Sequence, residues 1–116
     1  MTKILLTSRA LDDIQEIYDY SLAEWGKKTA SKYIKAFEDA FSLLQENKGL
    51  LKLNRRISSR FIVYPVQKHY LICDIIDDAI VVLTVRHTSM NLPERLKKLE
   101  PNLDKEAKAL YRNSKQ

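Results

Sequence analysis

Apolar positions change period along this chain, and the changes divide it into a short strand, two helices, a sheet and a helical tail. Ile4 to Leu6 form a brief apolar run next to Thr7 and Ser8, either of which can cap a following helix, with Asp12 and Asp13 near its positive end. Leu11, Ile14, Ile17, Tyr18, Leu22 and Trp25 then recur three or four residues apart. This spacing predicts a helix over about Arg9 to Trp25, with Trp25 as its last core residue and Gly26 as a left-handed stop. After Lys27 and Lys28, Thr29 is the expected cap of a second run, in which Ala30, Tyr33, Ile34, Phe37, Ala40, Phe41 and Leu44 form one stripe ending near Asn47 and Gly49. A link this short allows only antiparallel neighbours, so the two helices form a hairpin with both stripes facing one surface.

From Arg60 the period becomes strand-like, over Phe61 to Tyr64, Tyr70 to Ile76 and Ala79 to Arg86. Gln67–Lys68 and Asp77–Asp78 mark tight turns, which predicts an antiparallel meander with Pro65 at a strand end or edge. A three-residue second turn would set Leu71, Cys73, Ile75, Val81, Leu83 and Val85 on one face, ready to be covered by the hairpin. The other face would carry Tyr70, Asp74, Thr84 and Arg86. Beyond the sheet, Leu92, Leu96, Leu99, Leu103, Ala107, Leu110 and Tyr111 keep a helical period across Pro101, so one or two short tail helices are expected. The fold class is therefore α+β: a short N-terminal strand and an antiparallel helix hairpin on a mainly antiparallel sheet with a three-stranded C-terminal meander, plus a tail helix.

Composition narrows this picture. The 116 residues, 45% apolar, suffice for one core. No apolar run approaches the roughly 20 residues of a membrane span, and Ile4 to Leu6 is too short for a secretory signal, so the expected location is the cytoplasm. The lone Cys73 and the absence of paired Cys or His at ligand spacing predict neither disulfide nor metal site, and no cofactor is expected. The net charge of +5 is local: Asn47 to His69 holds Lys48, Lys52, Arg55, Arg56, Arg60 and Lys68 and no acid, whereas the remainder holds 14 basic and 15 acidic residues. Such a patch attracts anionic partners, either nucleic acid or an acidic protein surface.

Catalytic motifs are absent: there is no Gly-rich phosphate loop, metal-binding helix motif or nucleophile elbow. His69 and His87 are candidates for acid and base but read first as sheet-end residues. Asp74 lies among apolar neighbours and needs a cationic partner, Arg86 or Arg60.

The order of elements, together with Ala10, Asp13, Ile14, Ile17, Tyr20, Trp25–Gly26, Ala30, Tyr33 and Leu43–Leu44 before Gly49, resembles the RelE/ParE superfamily of bacterial type II toxin–antitoxin modules. In the sheet the resemblance is carried by Arg60, Phe61, His69–Tyr70, Ile75 to Asp78, Ile80, Leu83, Val85 and His87. It covers about residues 3–92, so a toxin-like domain over 1–92 and a helical extension over 93–116 are expected.

Two branches imply two activities. RelE-like toxins cleave mRNA on the ribosome with a set of basic residues and a tyrosine, but the matching positions here look like Tyr70, Met90 and Leu96. Losing such cations removes several kcal/mol of transition-state stabilisation. The ParE-like branch implies a non-catalytic inhibitor of DNA gyrase, although His87, Thr88, Ser89, Met90 and Asn91 replace its usual His-Gly-Arg-Met-Asp. The expectation is thus a ParE-like toxin without catalytic residues, binding its target through Arg60, Tyr70, Arg86, His87 and Met90, beside a basic patch of Lys48, Lys52, Arg55, Arg56 and Lys68. A ribosome-dependent endonuclease and a degenerate, non-toxic partner are the alternatives. All three imply a cognate antitoxin and a hetero-oligomer with it.

Overall fold

A computed structural model describes residues 2–115. The chain runs β1 (Lys3–Leu6), α1 (Ser8–Trp25), α2 (Lys27–Glu46), a 3-10 turn (Lys48–Leu50), β2 (Lys52–Leu53), β3 (Ile62–Val66), β4 (His69–Ile76), β5 (Ala79–His87) and α3 (Leu92–Ser114). The five strands form one sheet in the order β1-β5-β4-β3-β2. β1 pairs with β5 in parallel and every other pair is antiparallel. No helix among the described residues is long and apolar enough to cross a membrane.

Thr7 caps α1 by accepting from the Ala10 N–H at 3.1 Å, and its hydroxyl donates to the Leu83 carbonyl at 2.8 Å, so one buried side chain starts the helix and ties it to the sheet. The hairpin turn is tighter than its sequence suggests. Gly26 closes α1 and opens α2 with φ 88° and ψ 174°, so α2 begins at Lys27 rather than after Thr29. That backbone is open to glycine because it lacks a Cβ.

The second sheet turn corrects the expected register. Ile76 pairs with Ala79, so Asp77 and Asp78 alone make the turn, with Asp77 at φ 54°. A bulge follows: Ile72 pairs with Thr84 but Cys73 with Val82, leaving Leu83 as the extra residue. The face toward α1 and α2 therefore carries Leu71, Cys73, Ile80, Val82 and Val85, joined by Ala10, Phe37, Ala40 and Leu44. Val81 and Leu83, expected on that face, lie on the opposite one with Phe61, Val63 and Ile72. Without the bulge, Val85 would also have switched faces.

The opposite face is apolar because α3 covers it. Leu92, Leu96, Leu103 and Ala107 are buried there, and the helix continues through Pro101 as one 23-residue element. Proline has no N–H and gives up one helical hydrogen bond, which the packing of both flanking halves offsets. Each fully buried leucine contributes about 1.5–3 kcal/mol. The two-residue strand β2 was not foreseen: it is too short for alternation to register, and it leaves Lys52 and Leu53 exposed at the sheet edge. Pro65 stands past the two β3 residues that β2 covers, in keeping with its expected edge position.

Candidate target-binding groove

Where the hairpin turn overhangs the start of β4 and the end of β5, a groove of about 690 Å³ opens, lined on the helix side by Asp13, Ile17, Tyr20, Trp25 and Tyr33 and on the sheet side by Lys68, His69, Val85, Arg86, His87 and Met90. The bulge positions its floor. The Val85 N–H donates to Asp13 Oδ2 at 3.0 Å, and the buried Thr84 hydroxyl donates to the same oxygen. Asp13 thus pins α1 to the bulged strand, and Arg86 Nε donates to Thr84 Oγ1 at 3.1 Å, which sets the guanidinium at the groove wall.

His69 and His87 are direct partners across β4 and β5, with ring centroids 5.0 Å apart. The Tyr33 hydroxyl accepts from the Lys68 backbone N–H at 3.2 Å and is hydrogen-bonded to His69 Nδ1 at 2.7 Å, with the donor set by the His69 tautomer. Burial, and secondarily the neighbouring His87, pull the His69 pKa down to about 4, so it is neutral at pH 7. Burial likewise raises the Tyr33 phenol, outweighing the Lys68 hydrogen bond. His87 Nδ1 accepts from the Ser89 N–H at 3.0 Å. The floor is therefore a row of aromatic and imidazole rings, Tyr33, His69 and His87, that offers apolar ring faces and edges to a partner. Cys73 supplies no nucleophile, since burial, followed by the Asp74 charge, pushes its thiol well up.

Tyr20 and Trp25 complete the helix side. Their rings meet edge to face at 5.6 Å, yet they are 61% and 59% exposed. Trp25 is thus no core residue: at the last position of α1 it overhangs the sheet. Leu11 and Leu22 are also exposed, while Ala10 and Ser21 take the buried line of α1. The signal for Trp25 was its place beside Gly26, where the chain reverses and no stripe continues to cover it.

The residues expected to bind the target are only partly brought together. Arg86, His87, Met90 and Lys68 line the groove, although Met90 also packs against the second core and Arg86 is the cross-strand partner of Tyr70. Arg60 and Tyr70 lie on the α3 side, where Tyr70 packs against the second core and Arg60 Nη2 donates to Asp74 at 2.9 Å and Asp104 at 2.7 Å. Of the two partners considered for Asp74, Arg60 is the one it meets. Lys48, Lys52, Arg55 and Arg56 are exposed in the segment around β2. No cluster of three or more His, Cys, Asp or Glu side chains suited to a metal ion occurs among the described residues.

The sequence model of the family described as ParE toxin of type II toxin-antitoxin system, parDE, matches residues 4–92. The chain belongs to the ParE toxin family. A Toxin ParE of Escherichia coli is 27% identical over 97 residues, which cover 83% of this chain and 94% of that protein. The structure titled Chromosomal ParDE TA system from P. aeruginosa superposes with a TM-score of 0.67 at 15% identity, covering 77% of this chain and 98% of its own. It shares the fold. The ParE match stops at the first residue of α3, so the helix that closes the second sheet face here lies beyond the matched region.

Proposed function

We propose that this ParE-family chain acts in the cytoplasm as the toxin of a toxin–antitoxin pair, arresting growth by binding DNA gyrase and trapping its cleaved DNA, without catalysis of its own. The observation that carries this reading is the ParE match over residues 4–92, which spans the hairpin, the meander and every residue that lines the groove. The groove supports it. Exposed Tyr20 and Trp25 line the groove together with Arg86 and Met90, and tryptophan, tyrosine and arginine are the side chains that dominate protein interfaces. The cognate antitoxin neutralises the toxin by folding a C-terminal segment over the same groove.

Ribosome-dependent mRNA cleavage finds less support. It requires free cations at the reacting phosphate, but Arg60 is held between two carboxylates and Tyr70 packs against the α3 core. The test is gyrase supercoiling and cleavage-complex formation with toxin freed of antitoxin. Trapped cleaved DNA that disappears when antitoxin is restored is the expected result. Active gyrase at micromolar toxin, combined with codon-linked transcript cleavage in cells, would overturn the proposal in favour of the endonuclease.

A further inference from the structure

The basic residues of the tail become a surface only once α3 is docked. Leu92–Ser114 carries six Lys or Arg and four Asp or Glu, an unremarkable balance along the sequence. The structure sorts these charges. Asp104 bonds Arg60 at 2.7 Å, Glu100 adds to the field on the same guanidinium, and Glu106 bonds Arg9 at 2.9 Å, so three of the four acids turn toward the body of the protein. Lys97, Lys98, Lys105, Lys108 and Arg112 are all exposed. At 3.6 residues per turn they fall within a sector of about 100°, opposite Leu96, Leu103 and Ala107. The stripe runs about 22 Å at 1.5 Å per residue. The remaining acid, Glu94, lies at its start, 3.6 Å from Lys98.

We propose that this stripe is a docking surface for the phosphate backbone of duplex DNA. A row of cations along one helix face complements a polymer that presents one negative charge per ~1.7 Å of axis. An acidic protein partner fits less well, because a stable protein interface needs an apolar or aromatic anchor. The large exposed apolar side chains among the described residues, Leu11, Tyr20, Leu22, Trp25, Leu43 and Leu53, all lie outside α3. On the gyrase reading, on which this inference rests for the DNA that is met, the stripe holds the toxin against the duplex that the enzyme carries while the groove engages protein.

The contact is measured without gyrase, using the full chain freed of antitoxin and a labelled duplex of mixed sequence. Five neutralised phosphates give a slope of log K against log salt near −4.5, a loss of about 500-fold between 50 and 200 mM. The variant Lys97→Gln, Lys98→Gln, Lys105→Gln, Lys108→Gln, Arg112→Gln changes only exposed positions and keeps its melting midpoint, and its binding and salt slope collapse. A control, Lys27→Gln, Lys28→Gln, Lys32→Gln, Lys35→Gln on α2, retains most of both. Equal losses in the two variants, an unchanged slope in the first, or equally tight binding of polyglutamate would each overturn the proposal, the last in favour of an acidic protein. Gyrase poisoning is scored separately: poisoning without duplex binding defeats the stripe alone, and duplex binding without poisoning defeats the gyrase reading alone.

Discussion

Replacing Leu103 by Ala tests whether α3 belongs to the folded core. Leu103 is 0% exposed and sits among Phe61, Ile72, Val81 and Leu83 on the α3 face of the sheet. Truncation to alanine removes buried methyl groups and leaves a cavity, at a cost of about 2–5 kcal/mol in a well-packed site. The wall opposite Leu103 is a hydrogen-bonded sheet that cannot collapse inward, so a value of about 3 kcal/mol or more is expected. For an m-value near 1.5 kcal/mol/M this lowers the urea midpoint by about 2 M. Lys105→Ala, two residues away on the solvent side of the same helix, is the comparison and stays within about 0.5 kcal/mol. Both are read by urea unfolding followed by circular dichroism and tyrosine–tryptophan fluorescence. A single transition with unchanged slope places α3 and the sheet in one cooperative unit. Equal midpoints for the two variants, or a separate early transition confined to the helical signal, would refute the packing argument.

Asp13→Ala strips the bulge of the acceptor for the Val85 N–H and the buried Thr84 hydroxyl, and a loss of about 2–3 kcal/mol is expected in the same unfolding assay; a change under about 0.5 kcal/mol would show that water replaces the carboxylate. The His69 imidazole is expected to titrate near pH 4 by proton NMR, and a midpoint above 6 would contradict its burial against Tyr33. Because its pKa is lowered on folding, the unfolded chain binds the extra proton between about pH 6.5 and 4, so His69 makes the fold lose stability as pH falls through that window, and His69→Gln should flatten this part of the profile. Trp25→Ala, at a 59% exposed position, should leave stability within about 0.5 kcal/mol yet weaken antitoxin binding by about tenfold or more in calorimetry, and unchanged affinity would remove the groove from the antitoxin interface.

Much of the architecture was legible in the sequence where periodicity is long and one-sided. The α2 stripe of Ala30, Phe37, Ala40 and Leu44 is buried as read, and the meander follows its turn residues. The register of β5 was not legible, because Ala79 to Val85 is apolar at nearly every position and alternation carries no information when both faces are covered. The bulge at Leu83 is recorded only in partners far along the chain, Asp13 and Thr7. The groove was half legible: Arg86 and His87 follow from their place at the end of the last strand and Met90 from its place just after it, but Trp25 reads as a core residue until the hairpin geometry shows it overhanging the sheet. Arg60 shows the reverse case, a cation in a basic run whose acidic partners stand 14 and 44 residues away.

That distant pairing also explains why α3 docks and why its outer face is basic. Helices usually pair opposite charges at spacing of three or four along their own surface. In α3 the acids Asp104 and Glu106 are instead spent on Arg60 and Arg9, at the two margins of the buried stripe, where partial burial makes each contact stronger than a fully exposed pair. The leucines supply the attraction between helix and sheet, while the two charge pairs fix the rotation of the helix about its axis. Rotation by one residue, about 100°, would carry Leu103 out of the core and Asp104 away from Arg60 together. The same rotation fixes Lys98, Lys105 and Arg112, seven residues apart, on the solvent side. A docked α3 with these pairs in place therefore cannot hide its cations, and any surface function of the helix depends on contacts made on its inner side.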